Sequence, residues 1–92
     1  MRYVWDLAKD AFNRREHGLS LADGIPALED PDRMSWIDDR FDYGEERIAT
    51  LGMGQMNLLY VATVEPDEET TRIISARKAE PHEIEKYGFS CA

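Results

Sequence analysis

The stretch ERIATLGMGQMNLLYVATVEPDEETTRIISARK, residues 46–78, decides the fold of this chain. It divides into three runs rich in β-branched and aromatic residues, separated by two turns. The runs are ERIATLG (46–52), NLLYVATVE (57–65) and TTRIISARK (70–78), and the turns are MGQM (53–56) and PDEE (66–69). Because turns this short join antiparallel neighbours, we expect three successive antiparallel strands.

The last of these runs carries the basic residues that bear on function. Alternation along a strand sends successive side chains to opposite faces of a sheet. It predicts Ile73, Ser75 and Arg77 on one face, and Arg72, Ile74, Ala76 and Lys78 on the other.

The segments on either side complete an α+β pattern. RYVW (2–5) predicts a short strand, and Asp6 is a suitable N-cap for a helix over residues 7–17 that ends at Gly18. Ser20 can cap a second helix, which Pro26 makes short or irregular. Further along, MSWID (34–38) is a candidate strand, residues 39–46 form a charged loop, and EPHEIEKYG (80–88) predicts a helix.

These elements together predict the architecture. We expect an antiparallel β-sheet with two N-terminal helices and a short C-terminal helix, the helices being segregated to one side of the sheet.

Composition limits the chain to one small domain, residues 1–92, that is 42% hydrophobic and 33% charged. Its formal net charge of −8 argues against binding nucleic acid with the whole surface. Cys91 is the only cysteine, so no internal disulfide is expected. No apolar run approaches the roughly 20 residues of a membrane span, and residues 1–12 lack the apolar segment of a signal peptide. We therefore expect a cytoplasmic protein that makes no membrane contact.

The remaining chemistry lies in Arg, Lys, Glu and His residues without a metal. The two histidines, His17 and His82, lie on different predicted elements and outside any close-spaced metal-ligand pattern, so we expect no metal and no cofactor. Guanidinium groups can stabilise the charge that develops on phosphorus, while a carboxylate or imidazole takes a proton from a 2′-hydroxyl. Ordinary ion pairs on a sheet surface explain the same residues without any catalysis, and the pattern alone favours that explanation.

Several segments resemble the BrnT family, the ribonuclease half of type II toxin–antitoxin pairs. The matching segments are WDLAKDAFN (5–13), HG (17–18), DRFDYGEER (39–47) with Gly52, and RIISARKA (72–79) followed by Glu83 and Tyr87. The resemblance implies a RelE-like fold and a toxin that arrests translation by cleaving RNA. It also implies inhibition by a BrnA-like antitoxin with a ribbon–helix–helix domain, operator DNA being contacted only through that antitoxin.

The resemblance also assigns candidate site residues. Those expected to be catalytic are His17, Glu46, Arg72 and Arg77, and those expected to bind RNA are Glu45, Arg47 and Lys78. Two positions depart from the family pattern, because Glu16 and Glu65 stand where members usually carry a basic residue. Each exchange changes the charge by two units, which opposes RNA binding nearby by on the order of 1 kcal/mol per contact.

Two alternatives to a nuclease remain open. In the first, catalysis is weakened and the chain acts as an antitoxin-binding co-repressor, whose acidic surface would speed its encounter with a basic segment. In the second, the Arg and Glu residues only cross-link the sheet, so that replacing Arg72 or Arg77 would lower the melting temperature and nothing else.

Overall fold

The computed structural model describes residues 1–40, 42 and 44–91, with the side chains of all of them except residues 89–91. The elements in chain order are β1 (Arg2–Val4), α1 (Leu7–His17), a 3₁₀ helix (Leu21–Gly24), α2 (Ile25–Leu28), β2 (Met34–Asp38), β3 (Arg47–Met53), β4 (Leu58–Asp67), β5 (Thr70–Lys78) and α3 (Pro81–Cys91). Every predicted element is present, and α3 continues past Gly88, where it was expected to end. Among these residues no helix has the length and apolar character needed to cross a membrane.

Local sequence signals explain where the N-terminal helices begin and end. The Asp6 carboxylate accepts hydrogen bonds from the N–H groups of Ala8 and Lys9, which would otherwise lack partners at the start of α1. Gly18 ends α1 in the left-handed conformation, with φ of 72°, as a glycine does at low cost. Ser20 and Asp23 form the reciprocal capping box at the start of the 3₁₀ helix.

The five strands form one sheet in the order β1-β5-β4-β3-β2. The neighbours from β2 to β5 are antiparallel, as predicted, whereas β1 runs parallel to β5. The expectation of a purely antiparallel sheet was therefore wrong. Helices and three strands separate β1 from β5 along the chain, and a connection of that length permits a parallel pair.

Helices cover both faces of the sheet, which corrects the prediction that they lie on one side. On the face that we call the core face, the 3₁₀ helix and α2 bring Leu21 and Ala27 against Leu59, Val61, Ile73 and Ala76. On the opposite face, Tyr87 of α3 packs against Ala49, Leu51 and Tyr60. The opposite face is called the arginine face below, because Arg47, Arg72 and Arg77 lie on it.

A β-bulge in β5 brings these arginines together. Val61 pairs with Ala76 and Ala62 with Ser75, but Thr63 pairs with Ile73, so Ile74 is an extra residue in β5. One extra residue reverses the alternation on one side of it. Arg72, Ser75 and Arg77 consequently share the arginine face, and Lys78 lies on the core face. The predicted division, with Arg72 and Lys78 together and Arg77 opposite, was wrong.

Asn13 of α1 closes the outer edge of β5 beyond the three residues that pair with β1. Its amide donates to the carbonyl of Ala76 at 2.8 Å and accepts from the Ala76 N–H at 3.0 Å. It also donates to the carbonyl of Leu19 at 2.8 Å, and it is only 2% exposed. Asn13 therefore takes the place that a neighbouring strand would occupy at this edge.

Replacing Asn13 tests this contact. Asn13→Ala would leave the buried N–H and C=O of Ala76 without partners, and we expect a loss of about 2–3 kcal/mol in the free energy of unfolding measured in urea. Arg14→Ala is the matched control, because its pair with Asp10 is exposed on the same helix and contributes about 0.3–0.5 kcal/mol. Equal losses in the two variants would contradict the proposed role of Asn13.

Gly52 permits the close approach of α2 to β3. A β-carbon at position 52 would lie 2.1 Å from the carbonyl oxygen of Ala27, a distance that requires the backbone to move. We expect Gly52→Ala to destabilise the protein by about 3 kcal/mol or more, as overpacked cores do. Gly88→Ala is the control, since nothing lies within 4 Å of the added carbon and alanine favours a helix by about 0.5–1 kcal/mol. Thermal unfolding of both variants checks the prediction, which fails if Gly52→Ala melts at the wild-type temperature.

Candidate active site

The first part of the site is an ion-paired group of arginines on the arginine face. Arg47 begins β3 and Arg72 lies before the bulge in β5. Glu45 joins them, because its carboxylate lies 3.1 Å from Arg72 and 4.0 Å from Arg47. Three residues predicted for the site therefore come together, and Glu45 holds the two guanidinium groups next to each other.

The second part is Arg77, which contacts four groups in this conformation. Its guanidinium lies 4.2 Å from the centroid of the Tyr60 ring, a cation–π contact. It donates two hydrogen bonds to Glu83, at 2.8 and 3.0 Å, and a third to the carbonyl of Lys78 at 3.1 Å. Glu80 lies at 3.5 Å. Arg77 thus attaches the first turn of α3 to the sheet.

Glu83 is the buried partner of Arg77 and is 7% exposed. Burial by itself would raise the pKa of the Glu83 carboxyl, but the hydrogen bonds from Arg77 and from the Glu80 N–H outweigh it and lower that pKa. The hydrogen bond with Glu83 in turn raises the pKa of Arg77. The pair is therefore charged at neutral pH.

Tyr60, Asp38 and Arg40 form a neighbouring group that the sequence did not indicate. Arg40 binds the carboxylate of the buried Asp38 through two hydrogen bonds, at 2.9 and 3.0 Å, and donates to the Tyr60 hydroxyl at 3.3 Å. Burial raises the pKa of Tyr60, an effect that the charge of Arg40 opposes. The phenol remains protonated at neutral pH, and Tyr60 has a guanidinium at its ring and another at its hydroxyl.

The third part is a cleft of about 520 Å³ between α1 and the sheet. His17, at the exposed end of α1, lines it together with Arg47 of the ion-paired group. Lys9, Phe12 and Ser75 also line it. One side of α1 carries Lys9, Asn13 and His17, which recur every four residues. From this spacing the sequence could have indicated Lys9 as a site residue.

The other predicted residues lie elsewhere. Glu46 is exposed, and the structure gives it no hydrogen bond or ion pair to the other described residues. Lys78 is exposed on the core face, away from Arg72. Glu65 lines a different cleft, with Arg33, Thr50 and other residues of the core face, so its negative charge points away from the arginines. Glu16 is exposed on α1, next to His17.

Within the described part of the chain, one group offers three possible metal ligands close together. Ligand atoms of Glu80, His82 and Glu83 lie within 4.8 Å of one another. Arg77 already supplies a positive charge to this group, at 2.8 Å from Glu83 and 3.5 Å from Glu80. A metal ion would have to compete with that guanidinium.

Comparison with known proteins identifies the family. A family model described as "Ribonuclease toxin, BrnT, of type II toxin-antitoxin system" matches residues 5–83. The chain belongs to the BrnT family. The matched range contains every predicted site residue, together with the Asn13 contact, the bulge in β5 and Glu83.

A solved BrnT structure has the same fold. The crystal structure of the Brucella abortus ribonuclease toxin BrnT, at 1.1 Å resolution, superposes with a TM-score of 0.64 and 23% sequence identity. The match covers 87% of this chain and 97% of the Brucella chain. A search of curated proteins by sequence finds no match. The BrnT family and its fold are therefore established for this chain, and the roles of individual residues are taken up below as proposals.

The lowered pKa of Glu83 predicts how this BrnT-family chain responds to acid. A carboxyl whose pKa is lower in the folded than in the unfolded protein stabilises the fold at pH values above its ordinary pKa of about 4.3. That stabilisation is lost as the pH falls through the pKa of the folded state. At pH 7 we expect Glu83→Gln to lower the free energy of unfolding by about 1.5–3 kcal/mol, the range for hydrogen bonds to charged groups. The difference in free energy of unfolding between Glu83→Gln and wild type should narrow below a pH of about 4.

Urea unfolding of both proteins between neutral pH and pH 3 measures that gap. Glu80→Gln is the matched control, because the Glu80 side chain is 60% exposed and lies farther from Arg77; we expect a change below about 0.5 kcal/mol. A gap for Glu83→Gln that stays constant with pH would show that its charge does not stabilise the fold.

Proposed function

We propose that this chain is an endoribonuclease that cleaves mRNA without a metal ion, inhibits translation and is neutralised by a BrnA-like antitoxin. The observation that carries the proposal is the placement of Arg47, which belongs both to the ion-paired group with Arg72 and to the cleft that contains His17. Membership of a ribonuclease toxin family supports it. The site offers two guanidinium groups that share Glu45, one of which lines the same cleft as an imidazole.

These groups match the needs of phosphodiester cleavage by an internal nucleophile. The 2′-hydroxyl oxygen of the RNA attacks the adjacent phosphorus, the bond to the 5′-oxygen breaks, and a 2′,3′-cyclic phosphate and a 5′-hydroxyl end result. His17 accepts the proton of the 2′-hydroxyl and can return one to the leaving oxygen. Arg47 and Arg72 contact the phosphate oxygens and stabilise the charge that grows on them.

We assign proposed roles to the other predicted residues from their positions. Glu45 orients Arg47 and Arg72, and a phosphate would replace it as their partner during RNA binding. Arg77 is a positioning residue in this conformation, and it presents a full positive charge to RNA only when Glu83 releases it. Glu46 is the alternative proton acceptor. Lys78 binds RNA only if the RNA chain extends around the edge of the sheet onto the core face.

The same arrangement supports the proposal of metal independence. Positive charge at the phosphate comes from guanidinium groups, which stay protonated at all physiological pH values. The group with three possible metal ligands, at the start of α3, already holds Arg77. We therefore expect cleavage in the presence of a chelator.

A second candidate function is that of an antitoxin-binding co-repressor in which catalysis is weakened. The engagement of Arg77 by Glu83, which neutralises the charge of that guanidinium, favours it. The net charge of −8 also suits a basic partner segment. In either case the expected partner is a ribbon–helix–helix antitoxin, and operator DNA is contacted through that partner.

The deciding experiment is cleavage of an end-labelled mRNA by the purified chain with excess chelator. We expect fragments from the wild type and a loss of about a hundredfold in rate for Arg72→Ala, the cost of removing one group that stabilises transition-state charge. The melting temperature should hardly change, because exposed ion pairs contribute about 0–1 kcal/mol. A substrate with 2′-deoxy sugars should stay intact.

Arg33→Ala is the matched control, since Arg33 lines the cleft on the core face with Glu65 and its loss changes the net charge equally. We expect it to cleave at the wild-type rate. Intact RNA with a folded wild-type protein would favour the co-repressor, which can then be tested by antitoxin binding. Full activity of Arg72→Ala would place the phosphate site elsewhere.

A further inference from the structure

The cleft beside α1 contains an exposed aromatic ring that catalysis does not use. The Phe12 side chain is 54% exposed and lies on the cleft wall with Lys9, His17 and Arg47. An aromatic ring left in contact with water gains stability when a flat apolar group covers it. Phe12 therefore offers a surface for a ligand within the same cleft as the proposed catalytic groups.

The charges around this ring select the kind of ligand. Lys9 and Arg47 contribute positive side chains to the cleft, and the Arg15 guanidinium lies 5.7 Å from the centroid of the Phe12 ring. The acidic group on the wall, Asp6, is already bound to the N–H groups at the start of α1. Lys9, Arg15 and Arg47 thus place cations around an exposed aromatic ring, although Glu45 pairs with Arg47 and Asp6 lies on the same wall, and this combination suits an anion that carries an aromatic group.

We infer that Phe12 stacks on a nucleobase of single-stranded RNA, while Lys9 and Arg47 contact the phosphates on either side of that nucleotide. Single-stranded RNA is the ligand class that combines these features, because its unpaired bases stack on aromatic side chains and its backbone binds cations. The inference rests on the proposed ribonuclease function and extends it, because it names the residue that would hold a nucleotide beside the cleaved bond.

The cleft geometry also gives the stacked base a function in cleavage. Phe12 and His17 are on the same helix, and Arg47 reaches the cleft from the sheet. A base fixed on Phe12 would limit the motion of the adjoining phosphate relative to His17 and Arg47, and such positioning accelerates a reaction between bound groups. Phe12 is thus a positioning residue that acts through binding of the substrate.

The test measures binding without cleavage, by fluorescence anisotropy with a labelled 2′-O-methyl oligoribonucleotide. Its blocked 2′-oxygens prevent the proposed reaction. A second set of probes has the same backbone, and each member of the set lacks the base at one position. We expect Phe12→Leu to bind the complete probe about fivefold to a hundredfold more weakly than wild type, the range for loss of one stacked base. Phe12→Trp should bind at least as tightly as wild type.

The abasic probes separate stacking from simple contact. Wild type should lose affinity at one abasic position, and Phe12→Leu should show no such loss there. Ile84→Ala is the matched control, because Ile84 is a 52% exposed apolar residue on α3 outside the cleft; we expect wild-type affinity. Circular dichroism of each variant confirms that the fold is intact.

The outcomes distinguish this inference from the proposed function. Equal affinity of Phe12→Leu and wild type for the complete probe would overturn the stacking role even if the wild type cleaves mRNA. The stacking role would also be overturned if Phe12→Leu bound the complete probe and every abasic probe more weakly than wild type by the same factor. Failure of the wild type to bind any probe would overturn it as well. Binding that depends on Phe12, together with no cleavage of ordinary mRNA, would support the inference and reject the nuclease.

Discussion

One additional residue in β5, Ile74, determines which side chains of this chain can act together. Because of it, Ile73 and Ala76 both enter the core although three positions separate them. Arg72, Ser75 and Arg77 therefore project together from the other face. The bulge lies between two contacts on the outer edge of β5, the pairing with β1 before it and the Asn13 hydrogen bonds after it. These contacts fix the register on both sides of the extra residue, and so hold the arginines in place.

Arg77 shows a conflict between stability and catalysis. The nearly buried Glu83 carboxylate depends on the Arg77 guanidinium, because an unpaired charge at that place would be costly. Glu83 and the Lys78 carbonyl use three of the donors of that guanidinium, and Glu83 and Glu80 neutralise its charge, so a phosphate would gain less from it than from an unpaired arginine. Arg72 and Arg47 are different, since their partner Glu45 is partly exposed and water can replace it. The division of roles proposed above, with Arg77 supporting α3 and the other two arginines meeting the phosphate, follows from this difference in burial.

The strands and α1 could be predicted from the sequence because each depends on local signals, such as the apolar, β-branched and aromatic run in NLLYVATVE and the Asp6 and Gly18 caps. The bulge was not predicted, because TTRIISARK contains no glycine to mark it; the one sequence signal is the adjacent apolar pair Ile73 and Ile74, which interrupts the alternation at that point. The face covered by α3 and the parallel pairing of β1 depend on tertiary packing. The register of the strands, and no local sequence motif, brings Tyr60 and Asp38 into the site. The partners of Tyr60 lie on a loop before β3 and near the end of β5.

The net charge of −8 opposes RNA binding less than its size suggests. Charges separated by more than about 10 Å are largely screened at 0.1 M ionic strength, and this molecule measures 35 × 26 × 26 Å. An RNA phosphate in the cleft therefore interacts mainly with the groups that line it. Of the nearby acids, Glu45 and Glu83 are paired with arginines and Glu65 lies on the core face, whereas Glu16 and Glu46 are exposed next to His17 and Arg47 and oppose the phosphate. Salt then has two opposing effects: it weakens the contacts of Lys9 and Arg47 with phosphate, and it also screens the repulsion by distant acids. Binding at moderate ionic strength depends on the local arrangement of charge, and only at very low salt does the total charge dominate.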